Sequence, residues 1–574
     1  MMDAAGTGHA SSEGGDAGAK GGPLAPGVRS PGRGLAFFAV AACILLAVLA
    51  CWRYWYVQGL RSYLPDEGIY TFVGWSWLHG DWPYRDTWDH KGPVIFLVTL
   101  IRTALLGSSP EMTGIQEILM GLATAAILGA AAWLLWGVLA ASMVGLAGVL
   151  LWTQLGPTGG HMSTAGSIIA LLNALCILFT IRAIRSEGRG RAWLLFALGV
   201  CGGLGFLAKP NAISAIAAGW LVLVWIGLRA GEAGSATRSG AAGVFRDTGI
   251  IVAGAAVPMV AVALIFGLAG DLRQLIDVAY VYNAKIRGPG ILGENSLFGL
   301  AKKMARGLNR LHVLFPVGAA MLVTLLALTE QVRRPFGRPT FATAEAIAPV
   351  WLATSLAEYA SNGVYGHHIY PVLFAASFAM GWMISITLRL LPSRREVWAL
   401  AVAIPMLAWP CGELVRLHRA PRQIPPDWRV VGERIKAETR PDQRILVFAR
   451  MWGPSVLAVA ERRTAVRYIH SPPLYNRGYT SDARWGEVTS VLEGHEPPPF
   501  VVVPSWNLPE PPDGRPTAEW LAGAIDHDEA AGPLTDPTPY PNRERTKSLL
   551  VERYDLDYCE GLLCVLKLRR AAGE

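Results

Sequence analysis

Charged side chains are scarce in this chain of 574 residues. Asp, Glu, Lys and Arg together make up only 16% of the sequence, whereas hydrophobic residues make up 52%. A soluble enzyme of this length carries more surface charge. Apolar runs of the roughly 20 residues that cross a bilayer recur instead from about residue 35 to residue 415. The composition therefore predicts a polytopic α-helical membrane protein.

The N-terminus lacks the pattern of a cleavable signal peptide. Residues 1–34 are rich in Gly, Ala and Ser and too poor in apolar residues to fold. The first apolar run begins after residue 34, is long enough to span, and is followed by no small-residue cleavage pattern. We expect a disordered cytoplasmic tail at 1–34 and a first membrane span that is retained.

Lysine and arginine are concentrated in some of the short connections between apolar runs. Because cytoplasmic loops carry an excess of these residues, their distribution predicts the orientation of the chain in the membrane. The basic connections, expected inside, are 182–191, 229–246, 330–339 and 389–396. The connections 156–164, 208–211 and 361–368 hold one Lys and no Arg, and are expected outside. The loop 270–310 disagrees, because it is outside by this orientation yet holds seven basic residues that could serve an anionic ligand.

The apolar segment 93–107 does not fit this orientation as a membrane span. It has only about 15 residues, fewer than a crossing requires, and carries Arg102 in its middle. We expect it to lie in or dip into the outer surface. About eleven crossings then remain, at approximately 35–56, 112–136, 138–156, 164–182, 192–208, 212–229, 249–269, 311–329, 343–360, 369–391 and 397–415. The connection 57–111 becomes the first outer loop.

The region 416–574 differs from the membrane domain, 35–415, in being rich in Pro, Arg, Asp and Glu. It predicts a soluble extracytoplasmic α/β domain. Strands are expected at 444–450, 464–470, 500–506 and 562–570, and helices at 453–462 and 484–494. Cys559 and Cys564 fit a disulfide formed in an oxidising compartment. The region lacks a Gly-rich phosphate loop, a nucleophile elbow and a His/Cys cluster with metal-ligand spacing, so the chemistry is expected elsewhere.

Ionisable and aromatic residues gather instead in the first outer loop. Residues 63–96 read YLPDEGIYTFVGWSWLHGDWPYRDTWDHKGPVIF, with the acidic pair Asp66 and Glu67 near the start and Lys91 near the end. A carboxylate at a membrane surface can take a proton from a hydroxyl or hold a divalent cation. A lysine or arginine can stabilise a leaving phosphate.

The acidic pair after the first span, the PYRD stretch at 83–86 and HKGP at 90–93 resemble the first outer loop of membrane glycosyltransferases of the GT-C superfamily. More narrowly, they are similar to the bacterial branch related to protein O-mannosyltransferases and to the aminoarabinose transferases of lipid A. Stretches at 203–212, 366–382 and 444–474 are similar to later parts of these families. The resemblance thus covers most of 35–475.

The resemblance implies a GT-C-like membrane domain and a glycosyltransferase reaction. The donor would be a sugar carried on polyprenyl phosphate, a membrane lipid, and the acceptor a hydroxyl of a protein, a lipid or a cell-envelope glycan. The reaction would take place at the outer face of the inner (plasma) membrane, with a hexose or a pentose as the sugar. Nucleic acid is not an expected partner, no cofactor is certain, and a divalent metal ion is left open with its ligands unknown.

The resemblance also implies roles for individual residues. Asp66 matches the first acidic residue of the family's pair and is the candidate general base, with Glu67 beside it. Lys91 matches the lysine before proline and is the candidate ligand of the donor phosphate, with Arg85 as a second. Gly92 stands where many relatives have another proline, which leaves the pose of Lys91 open. Further candidate substrate-binding residues are Lys209, His367, His368, Trp75 and Trp82.

Structural alternatives exist for these assignments. The acidic pair fits the first turn of a capped helix, and the two lysines fit side chains that extend toward lipid headgroups. The histidines fit solvated interfacial positions, and the tryptophans fit an interfacial aromatic belt. A transporter and a non-catalytic cell-envelope scaffold are the alternative functions. The sequence has no internal repeat that favours a transporter, and a scaffold leaves the acidic loop unexplained.

Overall fold

The computed structural model describes most of the first outer loop, much of the membrane domain and most of the C-terminal region. The described residues are 44, 47–49, 51–52, 65–154, 164–232, 240–286, 343–361, 370–390, 427–448, 452–470, 472–476, 479–505, 516–525, 538, 540–561 and 563–569. The expected tail 1–34, the spans 311–329 and 397–415, most of the span 35–56, and both His367 and His368 lie outside these residues.

Helices are the main elements in the described part of the chain before residue 400, and residues 79–92 form a loop between two of them. They are α1 Pro65–Leu78, α2 Pro93–Leu106, α3 Pro110–Trp136, α4 Val138–Gln154, α5 Thr164–Ile184, α6 Gly188–Ala208, α7 Ser214–Glu232, α8 Gly240–Leu268, α9 Leu272–Ile276, α10 Tyr282–Ile286, α11 Ile347–Ser361 and α12 Tyr370–Leu390. Asp277–Val281 forms a π-helical turn between α9 and α10, and Thr343–Ala346 forms a 3-10 turn before α11.

Four helices in the described residues are long and apolar enough to cross a membrane. They are Pro110–Trp136, Ala165–Ile184, Gly188–Ala208 and Gly240–Leu268, and each overlaps a predicted span. The predicted spans 138–156, 212–229 and 369–391 overlap the shorter apolar helices within α4, α7 and α12, and the predicted span 343–360 overlaps α11. Large apolar side chains on α8 face outward, up to Leu268 with 90% exposure, as lipid-facing residues do.

The C-terminal region forms an α/β domain. Its elements are α13 Asp427–Glu438, β1 Leu446–Val447, α14 Gly453–Ala460, α15 Pro472–Tyr475, α16 Asp482–Glu493, β2 Phe500–Pro504, α17 Ala518–Ala522, α18 Pro541–Arg553, β3 Tyr554–Glu560 and β4 Leu563–Leu568, with a 3-10 turn at Gly523–Ile525. The sheet order is β1-β2-β4-β3, in which β1 and β2 are parallel and the other pairs antiparallel. The predicted class, a helical membrane protein with a C-terminal α/β domain, is confirmed.

Two details of this domain differ from the expectation. The segment 464–470 forms no continuous strand: Thr464 makes a parallel bridge with Ile445, and further along the Arg467 carbonyl accepts hydrogen bonds from the backbone N–H groups of Ile469 and Trp88. The unexpected strand β3 reads YDLDYCE and lies at the edge of the sheet. Edge strands commonly carry charge, and its three acidic residues weakened the strand pattern.

The β3–β4 hairpin carries the expected disulfide. Cys559 and Cys564 are bonded and pair directly across the two strands. Among the described residues, Cys51, Cys176 and Cys201 are free, and Cys176 and Cys201 are buried in the helical core. The disulfide prediction is confirmed.

Candidate active site

The acidic pair lies in the first turn of α1. Pro65 begins the helix, since a proline loses no hydrogen bond at this position, and Asp66 and Glu67 follow it. The Asp66 Oδ2 accepts a hydrogen bond from the Tyr70 hydroxyl at 3.3 Å. Glu67 is buried, with 4% of its surface exposed. The acidic pair thus lies in the first turn of a helix, as the structural alternative predicted. This position is compatible with a chemical role for Asp66.

Helix α1 is fixed against the C-terminal domain at Gly68. A Cβ atom on Gly68 would lie 2.1 Å from the Oγ of Ser455 and 3.0 Å from its Cα. Only glycine allows this approach. Because Ser455 is in the first turn of α14, the start of that helix packs against the first turn of α1.

The end of the first outer loop is organised around Asp89, which is fully buried. Its Oδ2 accepts a hydrogen bond from the Nε2 of His470 at 3.1 Å, and its Oδ1 accepts one from the backbone N–H of Lys91 at 2.9 Å. Burial raises the pKa of Asp89, but the bond from His470 and the charges of His90 and Lys91 lower it more. The net pKa lies below the ordinary value, so Asp89 remains a carboxylate.

Tyr70 of α1 is a buried tyrosine that bonds Asp66. Burial raises the pKa of the Tyr70 hydroxyl well above its ordinary value, and the negative charges of Asp66, Asp89 and Glu67 raise it further. Tyr70 remains protonated and donates to Asp66.

Lys91 is held at its backbone while its side chain remains half-buried. The Lys91 carbonyl accepts a hydrogen bond from the Tyr84 hydroxyl at 2.8 Å. Its Nζ lies 3.2 Å from the Nε2 of His90. Tyr84 itself adopts a left-handed backbone conformation, with φ of 70°, which costs energy for a non-glycine residue. The PYRD stretch thus places Tyr84 where it fixes the backbone of Lys91.

Gly92 joins the loop to the end of α6. Its N–H donates to the Ala208 carbonyl at 3.3 Å, and a Cβ atom on it would lie 1.8 Å from the Leu207 carbonyl oxygen. A proline would lose the hydrogen bond and clash, which explains why glycine occupies this position. Because Lys209 directly follows Ala208, this contact brings the backbones of Lys91 and Lys209 close together.

Lys209 and Arg85 have acidic partners. Glu358 of α11 interacts electrostatically with Lys209 and accepts a hydrogen bond from the Ser214 N–H at 3.2 Å. The Arg85 guanidinium binds Asp86 through its Nε and through its Nη2, the latter at 2.9 Å, and its Nη1 lies 3.3 Å from Asp271. These bonds, first of all that to Asp86, raise the pKa of Arg85. Arg85 is thus largely engaged in ion pairs.

The two tryptophans pack against other aromatic rings. Trp75 is buried and lies 4.3 Å from the His79 ring, centroid to centroid. Trp82 is half-buried and makes an edge contact with Phe266 of α8 at 5.8 Å. This packing favours the structural alternative for Trp75 and leaves part of Trp82 exposed.

Three separate parts of the chain meet at Trp88. Its ring makes edge contacts with Tyr282 of α10 at 4.8 Å and with His470 of the C-terminal domain at 5.2 Å. Its Nε1 donates to the Tyr479 hydroxyl at 3.4 Å, which in turn donates to Asp277 at 3.1 Å. Asp277 begins the π-helical turn, an unusual conformation that is frequent at functional sites.

The sequence did not indicate Asp89 and His470 as partners. Asp89 was one of several ionisable residues in the loop, and His470 lay in an expected strand 381 residues away. Ligand atoms of Asp89, His90 and His470 all lie within 4.8 Å of one another, a spacing that could hold a metal ion. No local pattern could have found this set, since its members come from two domains.

Both ends of α2 contact the C-terminal domain. On the N-terminal side of α2, Asp89 accepts a hydrogen bond from His470. On its C-terminal side, the Ser108 hydroxyl donates to Glu461 at 3.4 Å. Glu111 forms an ion pair with Arg429 at 3.2 Å. Within α2, the buried guanidinium of Arg102 bonds the hydroxyls of Thr71 and Thr113. These contacts are compatible with a segment that does not cross the bilayer, and the topology remains a prediction.

No protein-family model matches the chain, and no curated protein sequence matches it. Among solved structures, it is similar to ArnT from Cupriavidus metallidurans bound to undecaprenyl phosphate, with 14% identity and a TM-score of 0.51 over 93% of this chain and 98% of that one. It also matches the oligosaccharyltransferase AglB from Archaeoglobus fulgidus in complex with an inhibitory peptide and a dolichol-phosphate, with 12% identity and a TM-score of 0.46 over 82% and 69% of the two chains. The likeness to ArnT over nearly the whole of both chains confirms the predicted GT-C-like fold.

Proposed function

We propose that this protein is a membrane glycosyltransferase that moves a sugar from a polyprenyl-phosphate donor to an acceptor hydroxyl. The observation that carries the proposal is geometric: Tyr70 donates to Asp66, Tyr84 donates to the Lys91 carbonyl, and the two tyrosine rings lie 6.4 Å and 5.7 Å from the ring of Phe96 between them. This arrangement occurs in a fold shared with ArnT, whose crystal structure contains undecaprenyl phosphate. The acceptor belongs to a protein, a lipid or a cell-envelope glycan.

In the proposed reaction, Asp66 is the general base. The acceptor hydroxyl oxygen forms a bond to the anomeric carbon of the sugar while its proton passes to the Asp66 carboxylate. The bond between that carbon and the phosphate oxygen breaks, and the polyprenyl phosphate leaves with the electron pair. The Tyr70 hydroxyl orients the carboxylate by donating to one of its oxygens. Glu67 is buried next to it and supports the position of the helix start.

Lys91 stabilises the charge that develops on the leaving phosphate. Its backbone is fixed on both sides, by Tyr84 and by the contact of Gly92 with Ala208. Its ammonium group contacts the His90 ring. Because the residue is only half-buried, the ammonium group remains accessible to a ligand. Lys209 is the better second candidate for the phosphate, because it follows Ala208 directly; it interacts with Glu358, whereas Arg85 is bound to both Asp86 and Asp271.

The proposed site lies on the outer face of the inner membrane, with a cytoplasmic N-terminus and an extracytoplasmic C-terminal domain. The bonded pair Cys559 and Cys564 supports this orientation, since disulfides persist in oxidising compartments. The same proposal includes a membrane domain at 35–415 with about eleven membrane-spanning helices, and a separate C-terminal domain at 416–574. The transferred sugar is a hexose or a pentose.

A transfer assay tests the proposal. The purified protein, reconstituted in lipid, is supplied with labelled polyprenyl-phosphate hexoses and pentoses and with membrane extract as the source of acceptor. A transferase consumes at least one donor and releases polyprenyl phosphate, whereas a transporter or a scaffold consumes none. Comparison of glycans and polyprenyl-phosphate sugars by mass spectrometry in cells with and without the protein identifies the sugar. Unchanged donor levels in both experiments would contradict the proposal.

A further inference from the structure

We propose that Ser455 of the C-terminal domain is a positioning residue for sugar transfer, because its contact with helix α1 sets where that helix holds Asp66. The contact is with Gly68, two residues after Asp66. The inference rests on the proposed function, in which Asp66 is the general base. It gives the C-terminal domain a part in turnover, although that domain holds neither Asp66 nor Lys91.

Ser455 leaves no space beside the first turn of α1. A Cβ atom on Gly68 would lie 2.1 Å from the Ser455 Oγ and 3.0 Å from both the Cβ and the Cα of that residue. Rotation of the Ser455 hydroxyl relieves only the first of these contacts, because the backbone fixes the other two atoms. Gly68 and Ser455 are both buried. Helices α1 and α14 therefore meet here at a fixed separation.

The rest of α1 is held at two further points. A Cβ atom on Gly74 would lie 2.7 Å from the Oγ1 of Thr99, so α1 also packs closely on α2. Just after α1, Arg463 of the C-terminal domain donates to the His79 carbonyl, and basic side chains stabilise helix C-termini in this way. The same guanidinium lies 3.6 Å from the buried carboxylate of Asp81. A push on the first turn of α1 is therefore not relieved by a shift of the whole helix.

The first turn of α1 carries Asp66, and a general base must lie within hydrogen-bond reach of the proton that it takes. Ordinary contact distances are about 3.5 Å, so a side chain at position 68 would push the first turn away from α14 by roughly 1 Å. A misplacement of about 1 Å can lower a rate about 10²-fold. Lys91 lies outside α1, on a backbone that Tyr84 fixes. The contact with Ser455 therefore controls turnover more than donor binding.

Steady-state transfer by the full-length protein in lipid nanodiscs tests the contact, with a labelled polyprenyl-phosphate sugar as the donor. Gly68→Ala should lower kcat by about tenfold or more and leave the KM for the donor nearly unchanged. Ser455→Gly, which leaves a space in place of a clash, should lower kcat by a smaller factor. The double variant should be faster than Gly68→Ala, because the new methyl group occupies the space that the serine side chain leaves. A double variant no faster than Gly68→Ala would overturn the proposal.

Gly219→Ala is the matched control for overpacking. A Cβ atom there would lie 2.3 Å from the Oγ1 of Thr180, in a contact between α7 and α5, neither of which carries Asp66. Both Gly68→Ala and Gly219→Ala should lower the midpoint of thermal unfolding, but only Gly68→Ala should lower kcat. Equal losses of kcat in the two variants would show that Gly68→Ala acts through stability alone and would overturn the positioning role.

Two further outcomes are distinguishable. If Gly68→Ala does not fold, Ser455→Gly decides by itself: its kcat should be lower and the amides of residues 66–70 should exchange faster than in the unaltered protein. Unchanged kcat and exchange would overturn the role of Ser455 and leave the proposed function standing. Absence of transfer by the unaltered protein would instead remove the proposed function, and the positioning role with it.

Discussion

The guanidinium Nη1 of Arg429 lies 3.2 Å from the Oε1 of Glu111, and this ion pair joins helix α13 of the C-terminal domain to the start of α3. Asp89, which precedes helix α2, accepts a hydrogen bond from His470 of the same domain. Helix α2 therefore begins and ends beside one soluble domain. A segment that crossed the bilayer once would separate these two contacts by the thickness of the membrane.

We predict that residues 91 and 111 lie on the same outer side of the membrane. In a background without other free cysteines, Lys91→Cys and Glu111→Cys should both react with an impermeant thiol reagent in intact cells. Ser186→Cys, in a connection expected to be cytoplasmic, should react only after permeabilisation. Labelling of only one of positions 91 and 111 would eliminate the eleven-span topology.

We predict that the Cys559–Cys564 disulfide is present in the protein as cells make it. Alkylation of unreduced protein should leave both cysteines unmodified, and reduction should expose two additional thiols by mass spectrometry. The Cys559→Ser/Cys564→Ser double variant should lose about 2 kcal/mol of stability or less, because the closed loop is short. Alkylation of both cysteines before reduction would place the C-terminal domain in a reducing compartment.

Much of the membrane part was predictable because its pattern is local. The length of an apolar run sets whether a helix can span, and the short run with Arg102 at its centre became the fourteen-residue helix α2. The strand β2 reads FVVVP and has four fully buried residues, so its apolar run was a reliable signal. In each case neighbouring residues in the sequence determine the structure.

The meeting of distant segments was not predictable from one sequence. Nothing beside His470 indicates that it bonds Asp89, because the bond depends on how the C-terminal domain packs on the loop. The segment 464–470 has the alternation of a strand, yet its Arg467 carbonyl is occupied by the N–H of Trp88. Tertiary contacts decided both outcomes. The roles of Asp66 and Lys91 likewise remain predictions.

We predict that Gly92 tolerates no side chain. Gly92→Ala places a methyl group against the Leu207 carbonyl, and overpacking of this kind costs about 1–3 kcal/mol. Gly92→Pro should be worse, because it also removes the N–H that donates to Ala208. Gly190→Ala is the matched control, since a Cβ there meets no atom within 4 Å. Thermal unfolding in detergent should show a lowered midpoint for each Gly92 variant and no lowering for Gly190→Ala. Gly92 variants that unfold at the same midpoint as Gly190→Ala would contradict the predicted clash.

We predict that Lys91→Ala weakens donor binding as well as turnover. Removing the ammonium takes positive charge from the bound donor phosphate and from the transition state. Arg85→Ala should have the smaller effect, because its guanidinium is already engaged by Asp86 and Asp271. Lys436→Ala, at an exposed ion pair with Glu461, serves as the control. Equal donor affinity in Lys91→Ala and Lys436→Ala would exclude Lys91 as the phosphate ligand.

We predict that Asp66→Asn abolishes most of the transfer while it preserves donor binding. The amide keeps the shape of the carboxylate and can still accept the hydrogen bond from Tyr70, but it cannot take a proton. Loss of a general base typically lowers the rate by about 10²–10⁴-fold. Glu111→Gln is the control, because it removes a carboxylate from a partly exposed ion pair of little energetic weight. Both variants should reach the membrane and unfold near the same temperature. If Asp66→Asn transfers sugar as fast as Glu111→Gln, the acidic pair serves only to begin helix α1, and the proposed mechanism loses its base.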